Sequence, residues 1–188
     1  QVEDMDIDKL DIESIPKILI DDDLARDVFQ IAMGAFSPIG GFMNQDDLYS
    51  VLNNMKLSNG FTWPLPIILD VDKANAELIK VGENYCLIDS RSKPLATLRV
   101  EQVYKNERRL IAKAIYGTDE AKHPGAQKVL SLKPFLVAGE ITSVNRTAST
   151  INEYDLTPRQ LRKLFYEKGW GKVAGFHTRN VAHKGHEY

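Results

Sequence analysis

The sequence predicts an α+β protein: a small mixed β-barrel with flanking helices, followed by the first strand, loop and helix of an α/β unit. Three observations carry this. Apolar runs at 67–71, 85–88 and 95–104 are short and separated by turn residues, as in barrels built from short strands. Around them, apolar residues recur at helical spacing. Near the end, a helix start at Thr157 precedes an apolar run at 172–176 and a polar loop, the order that opens a parallel α/β sheet.

The first twenty residues are acidic and read as a loose arm that ends in a short strand, Ile18-Leu19-Ile20. Asp21 to Asp23 can cap a helix whose apolar stripe is Leu24, Val28, Ile31 and Ala32, with Gly34 ending it. The run Ala35 to Met43 holds glycine and proline in a fixed turn, anchored by Phe36 and Phe42. It reads as a packed turn in preference to a binding loop. Asn44 caps a second helix with Leu48, Val51, Leu52 and Met55 on one face.

Asn59-Gly60 signals a turn, and Trp63-Pro64-Leu65-Pro66 is extended because each proline keeps its predecessor out of the helical region. Ile67 to Val71 reads as a strand and Asp72 to Ile79 as a short helix. Tyr85 to Ile88 and Leu95 to Tyr104 form a strand and its antiparallel return. Ala96, Leu98 and Val100 alternate with Thr97, Arg99 and Glu101, as on a half-buried strand. A helix follows over Glu107 to Tyr116, with Leu110, Ile111, Ala114 and Ile115 inward. His123-Pro124-Gly125 opens another through Leu130, with His123 as a turn residue. Lys133 to Val144 reads as two strand-like runs. The polar stretch 145–156 marks a boundary, giving domains of 1–150 and 151–188. Thr157-Pro158-Arg159-Gln160 is a capping box with proline at the first helical position; Leu161, Leu164 and Phe165 form the buried stripe, and Gly169 ends the helix.

The chain has 188 residues and a formal net charge of −2, which argues against broad nucleic-acid binding. Its apolar runs fall short of the roughly 18–20 residues of a membrane helix. Gln1 to Glu13 is acidic, unlike a secretion signal. Cys86 is the only cysteine, so no internal disulfide forms, which fits a reducing, cytoplasmic setting. Asn145-Arg146-Thr147 matches a glycosylation sequon and is read as chance. The charge is uneven: from Thr157 onward there are seven Lys and Arg against two Glu, a net +5, leaving −7 for the rest. An anion site near the C-terminal end is one reading of this, a solvated helix face the other.

The residues past 176 suit a polyphosphate. Ligands of open α/β sheets bind beyond the carboxyl ends of strands, where His177 to Asn180 fall. A helix starting near His183 would turn its free N–H groups to the same space. His183 and His186, three apart, project the same way from a first turn, with Gly185 between them. Arg179 offers a planar fork for phosphate or sulfate, and Thr178 and Asn180 add neutral donors. Two histidines at this spacing also suit zinc, or a purely structural role. No Cys, Asp or third His stands nearby to complete a metal set, and Arg179 would repel a cation, so no protein metal site is expected.

Thr178-Arg179-Asn180-x-x-His183-x-Gly185-His186-Glu187 resembles the active-site signature of the ATP sulfurylase (sulfate adenylyltransferase) family. Its His-x-Gly-His core is shared by the wider nucleotidylyltransferase superfamily. The resemblance extends over roughly 20–188, through Gly34-Ala35-Phe36-Ser37-Pro38 with Gly41-Phe42-Met43, Trp63-Pro64-Leu65-Pro66-Ile67, Tyr116-Gly117-Thr118-Asp119 with His123-Pro124-Gly125, and Thr157-Pro158 through Gly169-Trp170 to Phe176. It implies a PUA-like barrel domain over 1–150 and, over 151–188, the start of a Rossmann-like catalytic domain. The implied reaction is attack of sulfate on the α-phosphorus of Mg-ATP, with no covalent enzyme intermediate; Mg²⁺ comes with ATP.

By the same resemblance Thr178, Arg179 and Asn180 are the catalytic trio, and Arg179 also holds sulfate. His183 and His186 neutralise the ATP phosphates. His177, which replaces the family's usual Gln, contacts both sulfate and ATP. Val181 replaces the usual Pro. The implied partners are ATP, sulfate, further copies of the chain and an adenylylsulfate kinase, as partner or fusion; nucleic acid and membrane are not expected. The 188 residues alone are expected to be inactive, because the segments that hold adenine and complete the sulfate pocket are not among them. Two alternatives stand beside this: a PUA-like RNA-binding or assembly module, and an adenylyltransferase for another oxyanion, to which His177 points.

Overall fold

The computed structural model describes residues 14–145 and 156–178. The expected arm before Ser14 and the expected linker at 146–155 lie outside the described residues. The chain divides into two compact units, Gln1–Asn152 and Glu153–Tyr188.

In the first unit the helix starts follow capping chemistry. The Asp21 carboxylate accepts the Leu24 N–H and caps α1 (Asp22–Ala32). Asn44 accepts from Asp47 at the head of α2 (Gln45–Asn54), and Asp72 accepts from Asn75 at the head of α3 (Lys73–Leu78). Each side chain satisfies one of the donors that a first helical turn leaves open. Past the end of α1, Gly34 takes a positive φ of 81°.

Six strands form one mixed sheet: β1 (Lys17–Leu19), β2 (Gly41–Phe42), β3 (Leu69–Val71), β4 (Asn84–Ile88), β5 (Pro94–Lys105) and β6 (Phe135–Val144). Their order is β1-β4-β5-β6-β2, with β3 also on β6. Among the described residues only the β1–β4 pairing is parallel. The expected barrel is therefore corrected: the sheet is open, because β1 does not pair with β2 or β3 among the described residues. Helices and turns do the work that closure would have done. Val28 and Ile31 of α1 join Phe42, Met43, Leu57, Leu69, Leu87 and Leu98 in one core. A smaller cluster joins Leu48 of α2 to Tyr104, Leu136 and Ala138 of the sheet and to Ile111 of α4 (Arg108–Tyr116). Apolar strand faces need only be covered, and a helix covers them as well as another strand.

Four local expectations are also corrected. Residues 133–144 hold one strand, not two: Gly139 lies mid-strand, where its lack of a Cβ lets β6 approach the Arg99 carbonyl of β5. Met55 is not on the buried face of α2. It adopts a left-handed cap and is 64% exposed. In α4 the buried residues are Ile111 and Ala112, while Leu110 is 45% exposed and Ala114 is exposed. One position is about 100° of helix, so the inward face is turned by that much from the expected stripe. On β5 the alternation fails at Thr97, which is buried in register between Cys86 and Ser143. Burial raises the Cys86 thiol above its usual range, which keeps it protonated.

α5 (Pro124–Leu130) completes the first unit, and Lys128 on it pairs with Asp23 of α1 at 2.6 Å. In the second unit α6 (Pro158–Glu167) has the full capping box: Thr157 Oγ1 accepts the Gln160 N–H, and Gln160 Oε1 accepts the Thr157 N–H at 2.8 Å.

Candidate functional site

The route to the candidate site runs along α6. Leu161, Leu164 and Phe165 share its half-buried face, while Arg159, Arg162 and Lys163 are exposed. Gly169 ends the helix with a φ of 66°, and Trp170 turns back so that its N–H reaches the Phe165 carbonyl and the two rings lie 6.2 Å apart. Lys163 pairs with Glu167 at 3.7 Å; Lys168 and Lys172 follow, both exposed. The residues that lead to the site are thus strongly cationic, with Glu167 the only carboxylate in 157–178.

Residues 172–176 do not form the expected strand. A strand needs a neighbouring strand to satisfy its N–H and C=O groups, and no β-ladder forms over 172–178 among the described residues. Phe176 is 71% exposed. Of the candidate residues, His177 and Thr178 stand on this segment and both are exposed. Arg179, Asn180, His183 and His186 lie outside the described residues. Among the described residues no three His, Cys, Asp or Glu side chains are placed to hold a metal ion, and no described helix is long and apolar enough to cross a membrane.

The glycine-rich turn of the first unit is packed, as expected. Phe42 and Met43 are buried, Phe36 meets Trp63 edge to face at 5.8 Å, and Tyr104 donates its hydroxyl to the Met43 carbonyl at 2.8 Å. Burial drives the Tyr104 phenol well above its usual range, so it stays a donor. The turn borders an open cleft of about 280 Å³, walled also by Asp47, Glu101 and Glu140. These carboxylates make it hostile to phosphate or sulfate. Nothing in the sequence pattern marks the cleft, because Glu101 and Glu140 come from different strands that the register of β5 on β6 brings together.

The first unit matches the family model of the PUA-like domain over residues 2–146, and residues 152–188 match that of ATP-sulfurylase. Among known proteins, the sulfate adenylyltransferase of Pyrococcus abyssi is 41% identical over 173 residues, covering 92% of this chain and 45% of the relative. That of Hyperthermus butylicus is 40% identical over 174 residues, covering 93% and 44%. That of Ignicoccus hospitalis is 39% identical over 171 residues, covering 91% and 44%. The chain thus spans a little under half the length of the relatives it matches. Among solved structures, a hexameric APS kinase from Thiobacillus denitrificans shares the fold at a TM-score of 0.60 and 23% identity, over 84% of this chain and 27% of that one. The chain belongs to the PUA-like domain family through residues 2–146 and continues, over 152–188, into a segment of ATP-sulfurylase type.

Proposed function

We propose that the chain forms the N-terminal portion of a sulfate adenylyltransferase: a PUA-like domain over 1–150 and, over 151–188, the first part of a Rossmann-like catalytic domain. The observation that carries this reading is identity of about 40% to sulfate adenylyltransferases over more than nine-tenths of the chain, through the ATP-sulfurylase match at 152–188. The reaction is transfer of the adenylyl group of ATP to sulfate, with pyrophosphate leaving.

Two polyanions must meet for this to occur, so positioning and charge stabilisation dominate. Arg179 holds sulfate through two parallel N–H donors. Thr178 and Asn180 hold the reacting groups in place beside it. His183 and His186 donate to the phosphates as charge gathers on the departing pyrophosphate. His177 donates to both anions. Mg²⁺ enters as Mg-ATP, bound through the phosphates. The cationic run Arg159 to Lys172 raises the local potential in favour of both substrates. The protein works in the cytoplasm, as an oligomer of its own copies, beside or fused to a kinase that consumes adenylylsulfate.

Pyrophosphate release from ATP and sulfate tests the reading. It is measured for the 188-residue chain and for the longer protein of which it is the N-terminal portion. The longer protein turns over and the 188 residues alone do not. An inactive longer protein would sink the enzymatic reading.

A further inference from the structure

α5 begins with a cap that only an unprotonated imidazole nitrogen can make. His123 Nδ1 accepts the Ala126 N–H at 3.2 Å, and Pro124, which has no N–H to satisfy, fills the first helical position. The imidazole also lies against Tyr116, the last residue of α4, with ring centroids 5.0 Å apart and planes tilted by 39°. The same phenol ring covers Gly125: a Cβ there would stand 2.5 Å from Tyr116 Cε1. One exposed histidine therefore ties the end of α4 to the start of α5, at a corner with no room for an added side chain.

We propose that His123 is a proton-sensitive latch for the α4–α5 corner. A proton on Nδ1 removes the acceptor lone pair and sets one N–H against another. It also places positive charge at the positive end of a helix. Both effects release the first turn of α5.

The charged and titratable groups around the corner come from every element that meets there. α4 supplies Tyr116 and Arg109, the latter paired with Asp119 at 3.2 Å. The connecting turn supplies Glu120, whose carbonyl accepts the His123 N–H at 3.0 Å, and Lys122. α5 supplies Lys128, and α1 supplies its partner Asp23. The Lys128 hydrogen bond holds the Asp23 carboxyl below its usual range. Imidazoles ordinarily exchange their proton between about pH 5 and 8, whereas carboxylates do so near pH 4. The Lys128–Asp23 pair bonds α5 to α1 without the imidazole, so when the cap is lost the first turn of α5 frays and the helix stays docked.

Amide hydrogen exchange at Ala126 tests this in the 188-residue chain, at pH 7.5 and pH 5.5, after correction for intrinsic exchange rates. The variant is His123→Asn, which caps as well but carries no titrating group. Protection at Ala126 in the natural chain falls about fivefold at the lower pH, the worth of a typical cap, while H123N keeps the same protection at both. Equal protection of the natural chain at the two pH values overturns the latch. So does an equal acid loss in H123N, because it would show that the corner loosens without His123.

Discussion

Gly41 of β2 and Gly139 of β6 approach so closely that a Cβ on Gly41 would overlap the Gly139 carbonyl oxygen and stand 2.8 Å from the Glu140 Cα. Phe42 pairs with Gly139 in register, and Gly139 in turn pairs with Val100 of β5. The two glycines thus let three strands crowd together beside the bulge of β5 between Val100 and Gln102.

Gly41→Ala is expected to be destabilising for this reason. Its neighbours are backbone atoms, which cannot swing aside, so an overpacking cost of about 1–3 kcal/mol applies. Gly40→Ala is the control, since a Cβ there meets only the Glu140 side chain at 3.8 Å, and it should change stability by no more than about 0.5 kcal/mol. Urea denaturation of the two variants decides: equal midpoints would show that the sheet relaxes around Gly41.

Asp27 gives a second prediction, of opposite sign. Burial, followed by the charges of Asp23 and Asp21, raises its carboxyl above the usual range. A raised carboxyl binds its proton more readily in the folded chain, so its ionised form opposes folding at neutral pH, and that penalty fades as pH falls through the folded-state value. Asp27→Asn should therefore raise the thermal midpoint at pH 7 by about 1–2 °C, a modest gain because the group is only half buried. The gap should close as the buffer is brought down into the carboxylate range. A gap that widens in acid would contradict the sign.

How much of this was legible depends on the range of the interaction. Asp21, Asn44 and Thr157 could be placed as caps because each bonds the N–H three residues on, within its own sequence window. The open sheet could not be read, because whether β1 meets β2 or β3 depends on contacts between distant segments. Leu110 failed for the same reason: an amphipathic stripe tells that a helix has an inner face, and the partner, here Leu48 and Leu136, decides where that face centres. Residues 133–144 look like two runs because a glycine in a strand, here Gly139, signals either an interruption or a close approach, and only the neighbouring Arg99 carbonyl distinguishes them. At the candidate site, the pattern of Arg179, His183 and His186 is a property of the sequence, whereas the 172–176 strand that should present it depends on neighbours that the described residues do not include.

Arg179 carries the third prediction, which follows from the proposed function and is made for the longer protein. Arg179→Ala should lower kcat on the order of 10²–10³-fold, the usual loss when a donor to a developing charge is removed. Arg179→Lys should restore little of it, since a point charge cannot reproduce two parallel N–H donors to one anion. Full activity of the lysine variant would mean that charge alone is needed there. Thermal midpoints of both variants should match the natural protein's, which separates lost chemistry from lost folding.

His177 separates sulfate recognition from catalysis. It stands where the resembling family carries Gln, on the exposed segment before the trio. A glutamine amide reaches an anion with an NH2 group on a flexible stem, whereas an imidazole presents ring nitrogens held close to the backbone. If His177 contacts sulfate, His177→Gln should change the KM for sulfate in the longer protein severalfold while leaving kcat within about threefold, because binding shared by ground and transition states moves KM alone. Sulfate and selenate, compared in both proteins, then test whether the imidazole also tunes the choice of oxyanion. If KM is the same with Gln in place, His177 does not touch the anion, and Arg179 with its neutral neighbours must hold sulfate without it.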